Sequence, residues 1–380
     1  MQNIELNKYS GSHYEIGLQQ GKYIKNMMKK ALKNISKFEF VKYLKPNFLP
    51  YSLFLFYAKN KAYNQIWKDI EKFYPKQSKR LIGISKGSNI DLKTILLIQA
   101  SEMLLTIKES DYFLEACTSI VFSSNIVKSK EIIIAKNFDY PNEFAPFLDT
   151  CCTNPSQGFK TLGCKMAPLP GLLDGINEHG LSITYNLAYT KEVPDFFIPI
   201  SIFLQEMLET CKNTNQALKF ISESKRAGSA LLTICDKQNN IKSVEISQNN
   251  YAIIEPKNNY MINTNHFQSP SIKKYQVEDN AVYTKKAPKP LQGLRVHESS
   301  YERYKRAKKL IDNTGEIDFN FIKNLLSDHG LNNDPSTMTI CRHDKHASTL
   351  RSIIIYPNSK KIKVLYGNPC QKDFCSFSFN

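Results

Sequence analysis

The residue with the clearest chemical potential is Cys117, which stands where a helical hydrophobic pattern gives way to a strand pattern. A deprotonated cysteine thiol is a nucleophile and can form a thioester with an acyl group. Residues 118–127 and 131–139 are rich in β-branched side chains and are joined by the polar turn Lys128-Ser129-Lys130, which predicts a β-hairpin. A turn centred on that serine places Cys117 within a residue or two of Asp139. The thiol of Cys117, the amine of Lys136 and the carboxylate of Asp139 can then meet at one strand end.

The spacing of two charged residues limits how they can act together. Lys136 and Asp139 are three positions apart, so a regular strand directs their side chains to opposite faces. Both can reach Cys117 only if a bulge or the strand end redirects one of them. The spacing alone is more typical of a buried free cysteine that packs as a small apolar side chain. The local pattern therefore leaves a catalytic and a structural interpretation of Cys117 open.

Helical patterns dominate the first 115 residues, and strand patterns follow. The predicted helices span residues 14–38, 53–73 and 92–107, the last capped by Asp91, and later residues 199–211, 215–223, 300–312 and 319–326. The predicted strand pairs span residues 175–186 about the turn Asn177-Glu178-His179-Gly180, 231–236 with 241–247, 251–255 with 260–265, and 350–356 with 361–366. Residues 269–297 are polar and contain prolines, which predicts a long loop. Strand pairs alternating with helix pairs indicate an α+β layered fold rather than a doubly wound parallel sheet.

Composition and charge exclude several classes of protein. The chain of 380 residues is 42% hydrophobic and 23% charged, which excludes a collagen-like or wholly disordered chain. No apolar stretch reaches the ~20 residues of a membrane span, and the first residues lack a basic region followed by an apolar core, so we expect a cytoplasmic protein without stable membrane insertion. The net charge of +16 comes from scattered lysines, which indicates a solvated surface rather than a nucleic-acid site.

The cysteine count argues against a disulfide framework. Nine cysteines are an odd number without the spacing of small disulfide-rich domains, so at least one thiol is expected to be free. Cys341, His343 and His346 are metal-ligand types, but no fourth ligand stands at suitable spacing in a loop-like segment. We therefore expect no metal and no other cofactor.

Several short motifs occur in an order that carries a family resemblance. Glu115-Ala116-Cys117-Thr118-Ser119 and Lys136-Asn137-Phe138-Asp139 are followed by Asn177-Glu178-His179-Gly180-Leu181 and by Asn263-Thr264-Asn265-His266-Phe267. Gly11-Ser12-His13-Tyr14-Glu15 precedes them. Together they resemble the N-terminal-nucleophile hydrolases, specifically the acyl-coenzyme A:6-aminopenicillanate acyltransferase branch, related to choloylglycine hydrolase and acid ceramidase.

The resemblance implies a fold, a maturation step and a set of roles. The fold is a four-layer α-β-β-α sandwich, in which a helical prosegment, residues 1–116, precedes a catalytic domain, residues 117–380. The precursor cuts itself between Ala116 and Cys117, and the prosegment is expected to stay bound as a partner chain. The new α-amino group has a pKa of ~7.7–8.0 and can accept the thiol proton.

The resemblance also assigns roles to further residues. Asp139 holds the α-amino group, and Lys136 stands where the family usually has an arginine and favours the thiolate. Asn186 and Asn265 donate hydrogen bonds to the oxyanion of the tetrahedral intermediate. Arg303 corresponds to a late arginine of the family. Because lysine lacks the planar fork of arginine, the departure at Lys136 alters any bidentate contact there.

The sequence therefore predicts a self-processing enzyme that cleaves or transfers the acyl group of a linear amide through a Cys117 thioester. The substrate is a small N-acyl amide or an acyl thioester. An acyl-coenzyme A-dependent N-acyltransferase with little hydrolysis is an alternative, because a basic surface suits the phosphates of coenzyme A. A non-catalytic basic binding protein on the same fold is a second alternative.

Overall fold

Two β-sheets, stacked face to face, form the centre of the structure. This computed structural model describes residues 4–34, 45, 48–104, 116–193, 195, 197–285, 287, 289–345 and 347–379. Within these ranges, one sheet has eight strands in the order β1-β4-β5-β6-β7-β8-β9-β10, and the other has six in the order β11-β2-β3-β12-β13-β14. The strands are β1 (Asn7–Gly11), β2 (Ala116–Phe122), β3 (Ile133–Pro141), β4 (Leu148–Pro155), β5 (Thr161–Met166), β6 (Asp174–Asn177), β7 (Ser182–Leu187), β8 (Ala230–Cys235), β9 (Ile241–Ile246), β10 (Tyr251–Ile254), β11 (Tyr260–Asn263), β12 (Ala347–Tyr356), β13 (Lys361–Tyr366) and β14 (Cys375–Ser378).

Helices cover the outer faces of both sheets. They are α1 (His13–Asn34), α2 (Tyr51–Ala62), α3 (Lys68–Phe73), α4 (Pro75–Ser88), α5 (Leu92–Leu104), α6 (Ile200–Thr210), α7 (Thr214–Glu223), α8 (Pro270–Lys273), α9 (Glu298–Asp312) and α10 (Phe319–Leu326). A π-helical turn, Tyr63–Trp67, joins α2 to α3. Apolar residues of α9 and α10 pack on the six-stranded sheet, and those of α6 and α7 pack on the eight-stranded sheet. The predicted four-layer α-β-β-α sandwich is confirmed.

An apolar layer separates the two sheets. Val121 and Ile134 of the six-stranded sheet pack against Leu162, Ile176 and Cys235 of the other. These side chains are buried, and burial of apolar surface contributes roughly 25 cal/mol per Å². The polar residues of the site described below lie on the same strands, so this layer fixes their positions.

Most of the predicted elements are present, and one predicted hairpin is wrong. The hairpin of β2 and β3, the pairs β6–β7, β8–β9 and β12–β13, and the cap of α5 by Asp91 all occur. Residues 251–255 and 260–265 do not pair as a hairpin: β10 joins β9, whereas β11 joins β2 in the other sheet. Asn258 and Asn259 do form the expected turn, both with positive φ, but that turn carries the chain from one sheet to the other. The ends of two predicted helices, residues 35–38 and 105–107, lie outside the described residues.

Two glycine-containing helices, α1 and α4, pack at unusually short range. A Cβ atom on Gly17 would lie 2.0 Å from the carbonyl oxygen of Arg80, and one on Gly83 would lie 2.2 Å from that of Tyr14. Only glycine permits this approach of the two backbones. Helix α4 was not predicted from the sequence, because its glycines replace the apolar residues that mark a helical face.

The N-terminal helices are held to the rest of the chain by a buried charge. Glu209 of α6 accepts hydrogen bonds from Arg80 Nη2 at 2.5 Å, from His13 Nε2 at 2.9 Å and from Gln77 Nε2 at 2.9 Å. Burial raises the pKa of Glu209, but Arg80 and His13 outweigh it and lower this pKa to about 2. Strand β1 adds a parallel pairing with β4. None of the helices in the described ranges has an apolar stretch long enough to span a bilayer.

We predict that Arg80→Met lowers the free energy of unfolding by about 3–5 kcal/mol at pH 7, because it leaves the Glu209 charge buried without its main partner. Since the folded-state pKa of Glu209 is below its ordinary value of 4.5, the stability from this group is present above pH 4.5 and is lost as the pH falls toward 2. Urea unfolding at several pH values measures both effects. The exposed neighbour Lys79→Met is the matched control and should leave stability nearly unchanged. Equal stability of the two variants would contradict the assigned role of Arg80.

Candidate active site

Cys117 is the second residue of β2 and lies opposite Phe138 of β3. Asp139 is one position further along, opposite Ala116, so the predicted closeness of Cys117 and Asp139 is confirmed. The alternation along β2 directs the Cys117 side chain toward the eight-stranded sheet, together with Ser119. Only 3% of the Cys117 side chain is exposed in this single-chain form.

The backbone of Cys117 is held by two buried side chains. Its amide nitrogen donates a hydrogen bond to Asn265 Oδ1 at 3.0 Å, and its carbonyl oxygen accepts one from Arg303 Nη1. The guanidinium of Arg303 also donates to Thr118 Oγ1 at 2.9 Å and, through Nη2, to Asn265 Oδ1 at 2.8 Å. Burial lowers the pKa of Arg303, whereas Asp139 and Cys117 raise it. Asn265 and Arg303 therefore lie at Cys117, at the end of β11 and on α9.

The two asparagines predicted as oxyanion donors are bonded differently. The Nδ2 atom of Asn186 donates to the carbonyl oxygens of Asn263 and Thr264, both at 2.9 Å. Its Oδ1 accepts from Ser119 Oγ at 3.0 Å. An amide group whose two N–H bonds both end on carbonyls has none left for a substrate oxygen, so the bonding of Asn186 does not fit the predicted role. The Nδ2 atom of Asn265 donates to the carbonyl oxygen of Leu187 at 2.8 Å, which uses one of its two hydrogens.

Asp139 lies on the helix-covered face of the six-stranded sheet. Its Oδ1 accepts a hydrogen bond from Thr349 Oγ1 at 2.7 Å, beside a bulge in β12. Its Oδ2 is buried and has no hydrogen-bond partner among the described residues. Burial raises the pKa of Asp139, although Arg303 and the Thr349 hydrogen bond oppose that change. A buried carboxylate oxygen in this state has unused capacity to accept a hydrogen bond.

Lys136 lies on the opposite face, between the sheets, as the three-residue spacing predicted. Its Nζ atom donates to Asp174 Oδ1 at 2.6 Å and to the carbonyl oxygen of Tyr185. Arg351 binds the other oxygen of Asp174. All three charged side chains are fully buried, so two cations share one carboxylate. This cluster, Lys136–Asp174–Arg351, carries a net positive charge on the face that also bears Cys117.

A cavity opens at the Ala116 end of β2. Asn265, Arg303 and Arg342 contribute to its polar side, and Leu291 and Val296 contribute to its apolar side. Much of the apolar lining comes from the predicted loop of residues 269–297, which contains short helical turns but no strand of either sheet. The cavity therefore has an apolar wall facing buried cations beside the Ala116–Cys117 peptide bond.

Several residues of the site were not singled out from the sequence. Asp174 and Arg351 come from strands β6 and β12, and Thr349 precedes the β12 bulge. No local motif marks them, since their contacts depend on sheet order. Arg342 lies in the C-terminal motif Ser336-Thr337-Met338-Thr339-Ile340-Cys341-Arg342-His343, which offered a signal for it.

The expectation that Cys341 and His343 lack further metal-ligand types is wrong. The structure brings His329 and Cys370 to them, and the ligand atoms of the four residues all lie within 4.8 Å of one another. Sequence spacing did not reveal this group, because its members come from three separate loops. His346, the third residue considered from the sequence, lies outside the described residues.

Known structures with remote similarity to this chain include the following three. The chain is 16% identical to a Caenorhabditis elegans N-acylethanolamine-hydrolyzing acid amidase ortholog, with a TM-score of 0.44 over 64% of this chain and 93% of that one. It is 13% identical to a mutant of conjugated bile acid hydrolase from Clostridium perfringens, with a TM-score of 0.41 over 70% and 97% of the two chains. For penicillin V acylase from Agrobacterium tumefaciens the identity is 14% and the TM-score 0.36, over 66% and 83%.

The comparison with protein families is more decisive. No match was found among curated proteins. The family model described as acyl-coenzyme A:6-aminopenicillanic acid acyl-transferase matches residues 127–371, which include Lys136, Asp139, Asn265 and Arg303. This match spans well over half of the chain. The chain therefore belongs to the acyl-coenzyme A:6-aminopenicillanic acid acyl-transferase family.

Proposed function

We propose that this protein is a self-processing cysteine amidohydrolase or acyltransferase that acts on a linear amide. The observation that carries the proposal is the Oδ2 atom of Asp139, which is buried without a hydrogen-bond partner among the described residues and whose residue lies opposite Ala116. Hydrolysis of the Ala116–Cys117 peptide bond by one water molecule would create a carboxylate on Ala116 and an α-amino group on Cys117. That amino group would supply the donor that Asp139 Oδ2 lacks.

The contacts of Cys117 support the subsequent chemistry. Asn265 Oδ1 already accepts a hydrogen bond from the nitrogen that would become the α-amino group, so it can orient that group after cleavage. The free amine, with a pKa of ~7.7–8.0, would accept the thiol proton as Sγ attacks the substrate carbonyl. The same amine would then protonate the departing amine, leaving a thioester on Cys117 that water or a second amine resolves.

Other site residues have positioning or electrostatic roles in this proposal. Arg303 would position Cys117 and Asn265 through its hydrogen bonds to Cys117, Thr118 and Asn265. Asn265 retains one amide hydrogen for the oxyanion, whereas Asn186 would position residues 263 and 264. Lys136 would favour the thiolate through the net positive charge of its cluster.

The prosegment, residues 1–116, would remain bound after cleavage from the catalytic domain, residues 117–380. Its contacts with the remainder are of the kind that survive loss of one peptide bond: a parallel strand pairing of β1 with β4 and the buried Arg80–Glu209 ion pair. Glu102 also accepts hydrogen bonds from the Ser201 hydroxyl at 2.7 Å and from the Ser201 amide at 3.0 Å. Cleavage would therefore change the chemistry of Cys117 without releasing the helices.

An acyl-coenzyme A donor is supported by one further observation. The net charge of +16 would attract a polyanionic thioester, which favours transfer to an amine over simple hydrolysis. Thioester consumption that depends on an added amine would identify transfer, whereas consumption in its absence would identify hydrolysis.

We predict that the purified wild-type protein consists of two pieces, residues 1–116 and 117–380, which separate under denaturing conditions and stay together under native ones. Cys117→Ala should remain a single chain without activity, because no other thiol has these contacts. Asp139→Asn should lower self-cleavage by about a hundredfold or more, since an amide cannot supply the negative charge that stabilises the new α-amino group. Intact-mass analysis measures the pieces, and Cys152→Ser is the matched control.

Cleavage or turnover that persists in Cys117→Ala would overturn the nucleophile assignment. A single uncut, inactive chain in the wild type as well would favour the alternative of a non-catalytic binding protein. Salt-sensitive binding of the uncut chain to nucleic acid or anionic vesicles would then identify its partner class.

We predict that Lys136→Met lowers turnover of an acyl thioester at neutral pH by about tenfold, because loss of one buried cation makes the thiolate form of Cys117 less favourable. The acid limb of the pH–rate profile should move to higher pH. The fold should persist, since Asp174 keeps its ion pair with Arg351. Lys136→Arg retains the charge and is the control. A pH profile of Lys136→Met that matches the wild type would restrict the cluster to a structural role.

A further inference from the structure

Four metal-ligand side chains converge at one end of the six-stranded sheet, apart from the site of Cys117. Cys341 Sγ lies 3.7 Å from Cys370 Sγ and 3.4 Å from His343 Nε2, and Cys370 Sγ lies 3.2 Å from His343 Nε2. The ring of His329 packs edge-on against that of His343, with their centroids 5.0 Å apart. All four ligand atoms lie within 4.8 Å of one another.

The distances among Cys341, His343 and Cys370 match those of a tetrahedral zinc site, and His329 lies within 4.8 Å of all three. Zn–S bonds of about 2.3 Å and Zn–N bonds of about 2.0 Å at tetrahedral angles place two sulfurs about 3.8 Å apart, and a sulfur and a nitrogen about 3.5 Å apart. The observed separations are 3.7 Å for the sulfurs and 3.2–3.4 Å for the sulfur–nitrogen pairs. A Cys341–Cys370 disulfide would instead need a sulfur separation of about 2.05 Å and would leave both histidines without a role.

His329 gives independent evidence for a ligand. Its Nε2 is buried and has no hydrogen-bond partner among the described residues. Its Nδ1 lies 3.2 Å from Asn333 Oδ1, an acceptor, which favours the tautomer with the proton on Nδ1. The lone pair is then on Nε2, which can bind a metal. A metal-binding histidine characteristically has this arrangement, because a hydrogen bond at the outer nitrogen orients the ring.

We propose that His329, Cys341, His343 and Cys370 bind one zinc ion in a closed, structural site. Two thiolates and two imidazoles are a donor set that suits zinc, and four protein ligands leave no position for a substrate. The ligands come from the loop after α10, from the segment before β12 and from the turn after β13. The ion would therefore join three separate segments of the C-terminal part of the chain.

The position of this cluster connects it to the candidate active site. Arg342 lies between two of the ligands in the sequence and lines the cavity beside Ala116. Its amide donates to Thr349 Oγ1 at 2.9 Å, and Thr349 Oγ1 in turn donates to Asp139 Oδ1 at 2.7 Å. The carbonyl oxygen of Arg342 accepts from Asn368 Nδ2 at 2.7 Å, two residues before the ligand Cys370. A bound zinc ion would thus hold the backbone that positions Arg342 and Thr349.

The test measures metal content in full-length protein that carries no histidine tag. Inductively coupled plasma mass spectrometry after incubation with Zn²⁺ and gel filtration should find about one zinc per chain in the wild type and in Cys152→Ser, a half-buried cysteine outside the cluster. Cys370→Ser, at an exposed position, and His329→Ala should lose most of this zinc. Co²⁺ in place of Zn²⁺ should give the visible absorption of a tetrahedral thiolate site in the wild type and in Cys152→Ser, and not in the two ligand variants.

Thermal unfolding gives a second readout that does not depend on activity. A chelator should lower Tm in the wild type and leave Tm unchanged in Cys370→Ser, because only a protein that binds zinc gains stability from it. A wild type without zinc after this incubation would overturn the proposal, as would full zinc content in Cys370→Ser or a Cys341–Cys370 disulfide in the fresh protein. Repeating the measurement on Cys117→Ala keeps the result independent of self-cleavage.

Discussion

The pairing register of β2 with β3 is the constraint on which the candidate site depends. Because Cys117 lies opposite Phe138, the Cys117 side chain points between the sheets, while Asp139 points toward the helices. The charged side chains of Lys136 and Asp139 consequently lie on opposite sides of one sheet. Lys136 lies in the interior between the sheets, and Asp139 lies at the strand end where Arg303 contacts the backbone. A shift of one residue in this register would exchange the two environments.

Three buried carboxylates on this framework are compensated in different ways. Glu209 is satisfied by Arg80, His13 and glutamine side chains and holds the N-terminal helices. Asp174 forms ion pairs with two cations, Lys136 and Arg351, which together exceed its single negative charge. Asp139 has one hydroxyl donor and an oxygen without a partner among the described residues. Among these three carboxylates, only Asp139 has an oxygen without a hydrogen-bond partner in the described part of the chain.

Sequence patterns predicted the parts of the fold that local interactions determine. The β2–β3 hairpin and the closeness of Cys117 and Asp139 follow from alternating apolar residues around one short turn. The partners of β10 and β11 could not be predicted in this way, because the choice of sheet depends on contacts between distant residues. The same reason explains why Asp174, Thr349 and the ligand pair His329 and Cys370 were missed. The bonding of Asn186 to backbone carbonyls likewise depends on the neighbouring strand end, which no motif encodes.

The apolar wall of the cavity can change in shape without a change in the rest of the fold. Leu291, Leu294 and Val296 belong to the predicted loop of residues 269–297, outside both sheets, whereas the groups that contact the Cys117 backbone belong to the segment after β11 and to α9. Changes of length or side-chain size in this loop would alter the shape of the cavity while leaving strand pairing and the buried ion pairs intact. The shape of the cavity can therefore vary separately from the contacts of the Cys117 backbone, on a scaffold that stays the same.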